Sequence, residues 1–421
     1  MRCDCRLLAG AVIAGALACA EGPQAPEEEW VPLPLAAVSA GTYATCGLGT
    51  DGVAYCWGNG RHGQLGFAAS EDCSSVPGED PCAHVPTPVA ASLRFTALTT
   101  GDVHACGIAA DGAAYCWGGD EWGQVGDVGP KDTCGLIATP CTPAPRLVNL
   151  GGPLTVLSAG GSHTCAVHAA GYGYCWGYGH AGRLGTGFTD NAELPQSIVG
   201  GLRFTSIVAG GAHTCGLVQD GTAYCWGYNH LGQLGEGSTA PHSVPTPVAT
   251  TERFLLLTAG TAHTCGISTT GATLCWGGAG DGALGSGGAT ESCDGYPCRT
   301  TPQRVAPDPG FASLSAGQAF TCGVAGGTSY CWGAIPGVTQ PVPTPTRFGT
   351  PGLSTEGLSF ISVSAGVDHA CGLVADGSAY CWGVDRHGVL GHGEPVLDSL
   401  PALVRIRAPT TTTRRARPDG R

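Results

Sequence analysis

The sequence predicts an all-β protein: a single seven-bladed propeller with four-stranded blades. Three observations predict it. A hairpin pattern closed by Cys-Trp-Gly recurs seven times, at Trp57, Trp117, Trp176, Trp226, Trp276, Trp332 and Trp382. The first cysteines of successive copies lie 60, 59, 50, 50, 57 and 49 residues apart, a period that belongs to propeller blades. Each copy offers four strand-like segments separated by turn residues, and none offers a helical period.

The copy at residues 207–237 shows the unit most clearly. Thr214-Cys215-Gly216-Leu217-Val218 and Thr222-Ala223-Tyr224-Cys225-Trp226 alternate as strands. Gln219-Asp220-Gly221 lies between them, with glycine to supply a positive φ. A three-residue loop opposes Val218 to Thr222, Leu217 to Ala223, Gly216 to Tyr224 and Cys215 to Cys225. In the sixth copy the turn shortens to Gly326-Gly327, and a two-residue loop still opposes Cys322 to Cys331 and Gly323 to Tyr330. The residue facing the large side chain is glycine in six copies and Ala166 in one, so that side chain covers bare backbone.

A further strand precedes each hairpin; examples begin at Phe95, Phe204 and Phe360 and run into Ala-Gly or Thr-Gly. The last strand carries proline, as in Val85-Pro86-Thr87-Pro88-Val89 and Val244-Pro245-Thr246-Pro247-Val248, and so belongs on an outer edge. The sixth copy replaces the Gly-Gln-Leu-Gly turn with Gly333-Ala334-Ile335-Pro336-Gly337, which predicts an irregular edge in that blade.

The order Ala-Gly-x-x-His-Thr-Cys, Asp-Gly-x-Ala-Tyr-Cys-Trp-Gly and Gly-Gln-Leu-Gly resembles the repeat of the regulator of chromosome condensation family, over roughly residues 38–405. The resemblance implies a seven-bladed propeller, in agreement with the reading of the residues. It implies little about function, because that family includes a nuclear guanine-nucleotide exchange factor, a plant ultraviolet photoreceptor and a secreted bacterial inhibitor of β-lactamase.

The chain has 421 residues, 71 glycines, 30 prolines, 12 % charged residues and a formal charge of −13. One propeller uses most of that length. The acidic balance excludes the electrostatic footprint of a nucleic-acid binder. Residues 1–18 read as a signal peptide, with Arg2 and Arg6 before an apolar run too short to span a bilayer. The run ends Ala16-Leu17-Ala18-Cys19, which resembles a bacterial lipobox and makes Cys19 the expected lipidation site. Residues 19–30 form an acidic tether, residues 31–407 the propeller, and residues 408–421 an apolar-poor tail expected to be disordered. The chain is expected in the cell envelope, lipid-anchored at the outer membrane, or secreted.

Twenty of the 23 cysteines remain once Cys3, Cys5 and Cys19 are set aside. An even set in an exported chain predicts disulfides. Seven cross the hairpins: Cys46–Cys56, Cys106–Cys116, Cys165–Cys175, Cys215–Cys225, Cys265–Cys275, Cys322–Cys331 and Cys371–Cys381. Three lie within loops: Cys73–Cys82, Cys134–Cys141 and Cys293–Cys298. None of these spacings is that of a zinc site, and no metal or cofactor is expected.

The repeated histidines His104, His163, His213, His263 and His369 are the tempting catalytic candidates. Ala44 and Phe320 fill the same position in the other two copies, which assigns it to packing. No nucleophile elbow, paired-carboxylate motif or phosphate-cradling loop is present, so no catalytic residue is assigned. The distinctive loops run from the last turn glycine to the proline strand. They take ten residues in copies three, four and seven, but 20, 17 and 17 in copies one, two and five, the copies with the extra cysteine pairs. Equivalent loops emerge on one face, so three stapled loops decorate that face. The expectation is a non-catalytic, monomeric binding scaffold for a protein or a surface glycan. A soluble inhibitor-like protein is the alternative. Exchange activity on a GTPase is disfavoured by the signal, the disulfides and the acidic charge.

Overall fold

The computed structural model describes residues 30–69, 71–73, 81–135, 138–287, 291–347, 358–393 and 397–407. The signal segment, Cys19, the tether before Trp30 and the tail from residue 408 lie outside the described residues.

Seven antiparallel sheets follow one another along the chain, each built from contiguous sequence. Blade 4 shows the pattern: Phe204–Ala209, His213–Val218, Ala223–Gly227 and His242–Pro247, in spatial as well as chain order. Its register opposes Cys215 to Cys225 and Gly216 to Tyr224, as the loop length requires. The Gly of Cys-Trp-Gly takes a φ between 99° and 125° in all seven copies, which explains why no other residue stands there.

Three blades depart from four strands. Blades 1, 2 and 5 gain a fifth, outermost strand: Glu71–Asp72, Asp132–Cys134 and Glu291–Cys293. The stapled loop folds back on the outer strand and pairs with it, Glu71 opposite Cys82 and Glu291 opposite Cys298. The cysteine pair holds the loop against an edge that would otherwise be open. Blade 6 also differs from expectation. Val342–Arg347 pairs with Thr328–Gly333 in the register seen in blade 4, Tyr330 opposite Arg347 and Gly333 opposite Val342. The third strand dictates that pairing, and buried Ile335 fills the shortened turn.

The ring closes without exchange of a strand between first and last blades. Leu35–Ala40 begins blade 1 and Leu397–Leu403 ends blade 7; Trp30–Pro32 and Arg405–Arg407 form a separate two-stranded pair. The core lies between blades. All seven tryptophans of the repeat are fully buried. Each of the apolar clusters combines hairpin cysteines of one blade with the tryptophan of the next, as Cys165 and Cys175 with Trp226.

Candidate functional site: the shaft mouth and the loop face

Each first strand ends in Ala-Gly or Thr-Gly at the axis. A Cβ on Gly41, Gly101, Gly160, Gly210, Gly260, Gly317 or Gly366 would collide with the carbonyl oxygen of the same glycine in the next blade. The closeness permits backbone bonds around the axis: Thr42, Asp102, Gly161, Gly211, Thr261 and Gln318 each donate N–H to that carbonyl, at 3.1–3.3 Å. The shaft inside offers about 80 Å³ to water, room for a few molecules.

A second ring of bonds uses hydroxyls. Ser39, Thr99, Ser158, Thr258, Ser315 and Ser364 each accept the alanine or threonine N–H of the following blade's first strand, at 2.9–3.0 Å. The seventh position is Val208, which has no hydroxyl.

The repeated histidines form a third ring. Nε2 of His104, His163, His213, His263 and His369 lies 2.7–2.9 Å from Oγ1 of Thr164, Thr214, Thr264, Thr321 and Thr45, always one blade onward. Each threonine donates its hydroxyl to a turn carbonyl of the preceding blade, at 2.8–3.0 Å. The hydroxyl hydrogen is therefore committed, and Nε2–H must be the donor to it. That carbonyl also accepts the next tryptophan's Nε1–H, as Arg183 from Trp226 and Val389 from Trp57. The five histidines are buried. Burial holds His104, His263 and His369 down at about 4 and His213 at about 3. His163 is lowered well below its usual value by burial and by nearby Arg183. These groups stitch blades together and face no open site.

Strand direction puts the turns after Ala-Gly, the turns after Cys-Trp-Gly and the stapled loops on one face. Blades 2–4 carry an aromatic cluster there. Trp122 and Tyr178 have centroids 4.7 Å apart, and Tyr178 stacks on His180 at 5.8 Å. The Arg183 guanidinium lies 4.8 Å from the Tyr178 centroid and donates to the carbonyls of His180 and Gly211. Arg183 is itself buried, and desolvation lowers its pKa. Trp122 and Tyr178 are half-buried, and His180 is exposed. Tyr228 and His230 repeat the stack in blade 4, at 4.5 Å. At the shaft mouth Asp102 accepts the Thr42 hydroxyl; desolvation raises its pKa, against that hydrogen bond and Arg183. The cluster thus offers stacking surface, a fixed guanidinium beneath it and a carboxylate beside it. Among the described residues it contains no nucleophile–base pair.

All ten expected cysteine pairs stand at bonding distance, with Cα separations of 4.0–4.2 Å across hairpins and 5.8–5.9 Å in loops. Residue-pattern reading finds the staples but misses Trp122, Tyr178, His180, Arg183 and Asp102. The signal was present: after Cys-Trp-Gly the copies carry Asn59, Gly119, Tyr178, Tyr228, Gly278, Ala334 and Val384, and only blades 3 and 4 place an aromatic ring there.

Models of the Regulator of chromosome condensation (RCC1) repeat match residues 36–64, 204–233 and 360–389, and residues 51–108, 111–167, 171–217 and 220–267, together more than half of the chain. The human probable E3 ubiquitin-protein ligase HERC3 is 30 % identical over 169 residues, 40 % of this chain and 15 % of that protein. The Arabidopsis thaliana ultraviolet-B receptor UVR8 is 30 % identical over 182 residues, 42 % of this chain and 38 % of that protein. The chain thus matches well under two thirds of either relative's length. Among solved structures, human WBSCR16 superposes with a TM-score of 0.71 at 17 % identity, covering 84 % of this chain and 94 % of that one. Yeast RCC1 (Prp20), in a structure with Kap60, gives 0.65 at 20 % identity, covering 79 % and 78 %. At such identities these two likenesses concern the fold alone.

Proposed function

The chain belongs to the regulator of chromosome condensation (RCC1) repeat family, and from that premise we propose that it is a non-catalytic binding scaffold whose loop face takes a protein or a surface glycan. The observation that carries the reading is the Trp122–Tyr178–His180 stack over Arg183, on the face that also presents three stapled loops. Rigid aromatic rings with a fixed cation beneath them are what binding hot spots and sugar-stacking platforms share. Pre-ordered loops lower the entropy lost on association. The cell envelope is the proposed location, with Cys19 as anchor and residues 19–30 as tether.

The test is capture from envelope extract beside a glycan array, with the parent chain and two variants. Tyr178→Ala removes the centre of the stack and is expected to weaken capture at least tenfold. Tyr172→Ala is the control, because Tyr172 is exposed at a hairpin turn on the opposite face, where Arg203 covers it. Loss of capture in Tyr172→Ala but not in Tyr178→Ala would move binding to the other face and sink the proposal.

A further inference from the structure

The staple of blade 1 differs from the other two. Cys73 Sγ stands 3.3 Å from Nε2 of His84. Nδ1 of His84 stands 2.7 Å from Oε2 of Glu71, which also accepts the His84 backbone N–H at 3.0 Å. A carboxylate on Nδ1–H selects the tautomer whose Nε2 lone pair points at sulfur, the arrangement that orients metal-ligating imidazoles. Cys73, Cys82 and His84 are the only three His, Cys, Asp or Glu groups among the described residues with ligand atoms all within 4.8 Å of one another.

Blade 5 supplies the comparison within the chain. Its staple has the same frame, Glu291-x-Cys293 paired with Cys298-x-Thr300 against Glu71-x-Cys73 paired with Cys82-x-His84. Glu291 Oε2 accepts the Thr300 backbone N–H at 2.8 Å and its hydroxyl at 2.9 Å. The carboxylate therefore pins the outer strand in both blades, and threonine suffices for that task. Imidazole in place of the hydroxyl adds a ligand that the frame does not need. Blade 7 also holds the position from outside, since Gly393 donates N–H to the His84 carbonyl at 3.2 Å.

We propose that this staple is convertible: in its dithiol state Cys73, Cys82 and His84 bind a soft divalent cation of the zinc class, with Glu71 orienting the imidazole. A phosphine reductant breaks the Cys73–Cys82 bond; each sulfur gains a proton, and phosphine becomes phosphine oxide with oxygen from water. The cation then displaces both thiol protons to solvent and forms two metal–sulfur bonds and one metal–nitrogen bond. A fourth, tetrahedral position is left for water. Disulfide and metal exclude each other, because both claim the same sulfur electrons.

The test uses the full chain with Cys3, Cys5, Cys19, Cys134, Cys141, Cys293 and Cys298 replaced by serine, so that only the blade 1 staple remains outside the buried hairpins. It is reduced anaerobically with a phosphine until two thiols titrate, then given Co²⁺, then Zn²⁺. One Co²⁺ per chain is expected, with thiolate-to-cobalt absorption and tetrahedral d–d bands, displaced by Zn²⁺. His84→Thr, which reproduces the frame of blade 5, is expected to weaken binding at least 100-fold. Glu71→Gln is expected to weaken it about 10–100-fold. In a chain that keeps Cys293 and Cys298, Thr300→His is expected to raise the stoichiometry from one ion to two. Co²⁺ binding without sulfur absorption, or with equal affinity in His84→Thr, overturns the proposal.

Discussion

Lowering the pH should loosen the propeller through the histidine ring. Each of the five rings donates Nε2–H to a threonine and is held neutral by burial. For His104, His163, His213 and His369 the protein places no hydrogen-bond partner on Nδ1, so a second proton there goes unpaired. The folded values lie below the unfolded value of 6.5, at about 4 for three rings and about 3 for His213. The unfolded chain therefore binds more protons through that window. The stability contributed by the neutral rings is fully present above pH 6.5 and is lost as pH falls toward 4, at up to about 1.4 kcal/mol per ring per pH unit. At pH 4.5 that is on the order of 2–3 kcal/mol per ring, and on the order of 10 kcal/mol for the four with stated values. Even half of it rivals the 5–15 kcal/mol by which domains are typically stable, roughly. The assay is urea unfolding between pH 7.5 and 4.5. The informative variant is His213→Phe with Thr264→Ala, which copies Phe320 and Ala370 of the chain itself. Its loss of stability between pH 7 and 4.5 should be smaller than the parent's by about 1–3 kcal/mol. Thr264→Ala alone should cost about 1–3 kcal/mol at pH 7, because it strands a buried Nε2–H. An unchanged pH dependence in the double variant refutes the reasoning.

Gly160→Ala should destabilise by at least about 2 kcal/mol, since its Cβ meets the Gly210 carbonyl, whereas Gly151→Ala, with open space around it, should cost only the left-handed backbone term of about 1–2 kcal/mol; chemical denaturation compares them. Thiol titration during mild reduction should release four thiols first, from Cys73–Cys82 and Cys134–Cys141, because Cys73 and Cys134 are only partly buried; the fourteen buried hairpin cysteines should appear together with unfolding. Mass spectrometry of the mature chain should find a lipidated Cys19 at the N-terminus, and an unmodified soluble chain would contradict it.

The fold was legible because its signals are local. Turn length opposes Cys215 to Cys225, and proline marks the outer strand; both act within one blade. The joints between blades were legible only in part. Each histidine answers a threonine one blade onward, and the exceptions match: Ala44 faces blade 2's Ala105, and Phe320 faces blade 7's Ala370. That correspondence lies in the sequence, but it becomes visible only once the offset of one blade is known. Aligning copies on top of one another hides it, because partners then stand in different columns. The same limit hid the candidate site. Trp122 and Tyr178 lie in different copies, and only ring geometry brings them within 4.7 Å. The extra strands were hidden for another reason: the cysteine pairs showed that the loops are stapled, but pairing with the outer strand depends on where that edge runs.

The seam between the last blade and the first uses the hydroxyl, histidine and tryptophan bonds found at other joints, and this bears on how the loop face can work. Ser364 accepts the Ala40 N–H, His369 donates to Thr45, and Trp57 donates to the Val389 carbonyl. A Cβ at Gly366 would meet Gly41 as its equivalents meet theirs. Many propellers could lock the ring by lending a terminal strand to the opposite end of the chain; here the repeat's own bonds do so, each at about 0.5–1.5 kcal/mol net. Those bonds fall on the inner half of every blade, around buried residues that cannot vary without a partner changing too. The outer strands and the stapled loops take no part in these hydroxyl, histidine and tryptophan bonds, whose acceptors include the turns after Cys-Trp-Gly. Variation in blades 1, 2 and 5 is therefore cheap in stability, and it is there that the chain places its staples, while the aromatic stack occupies turns of blades 2 and 3. A ring held from the axis outward leaves the proposed recognition surface free to change.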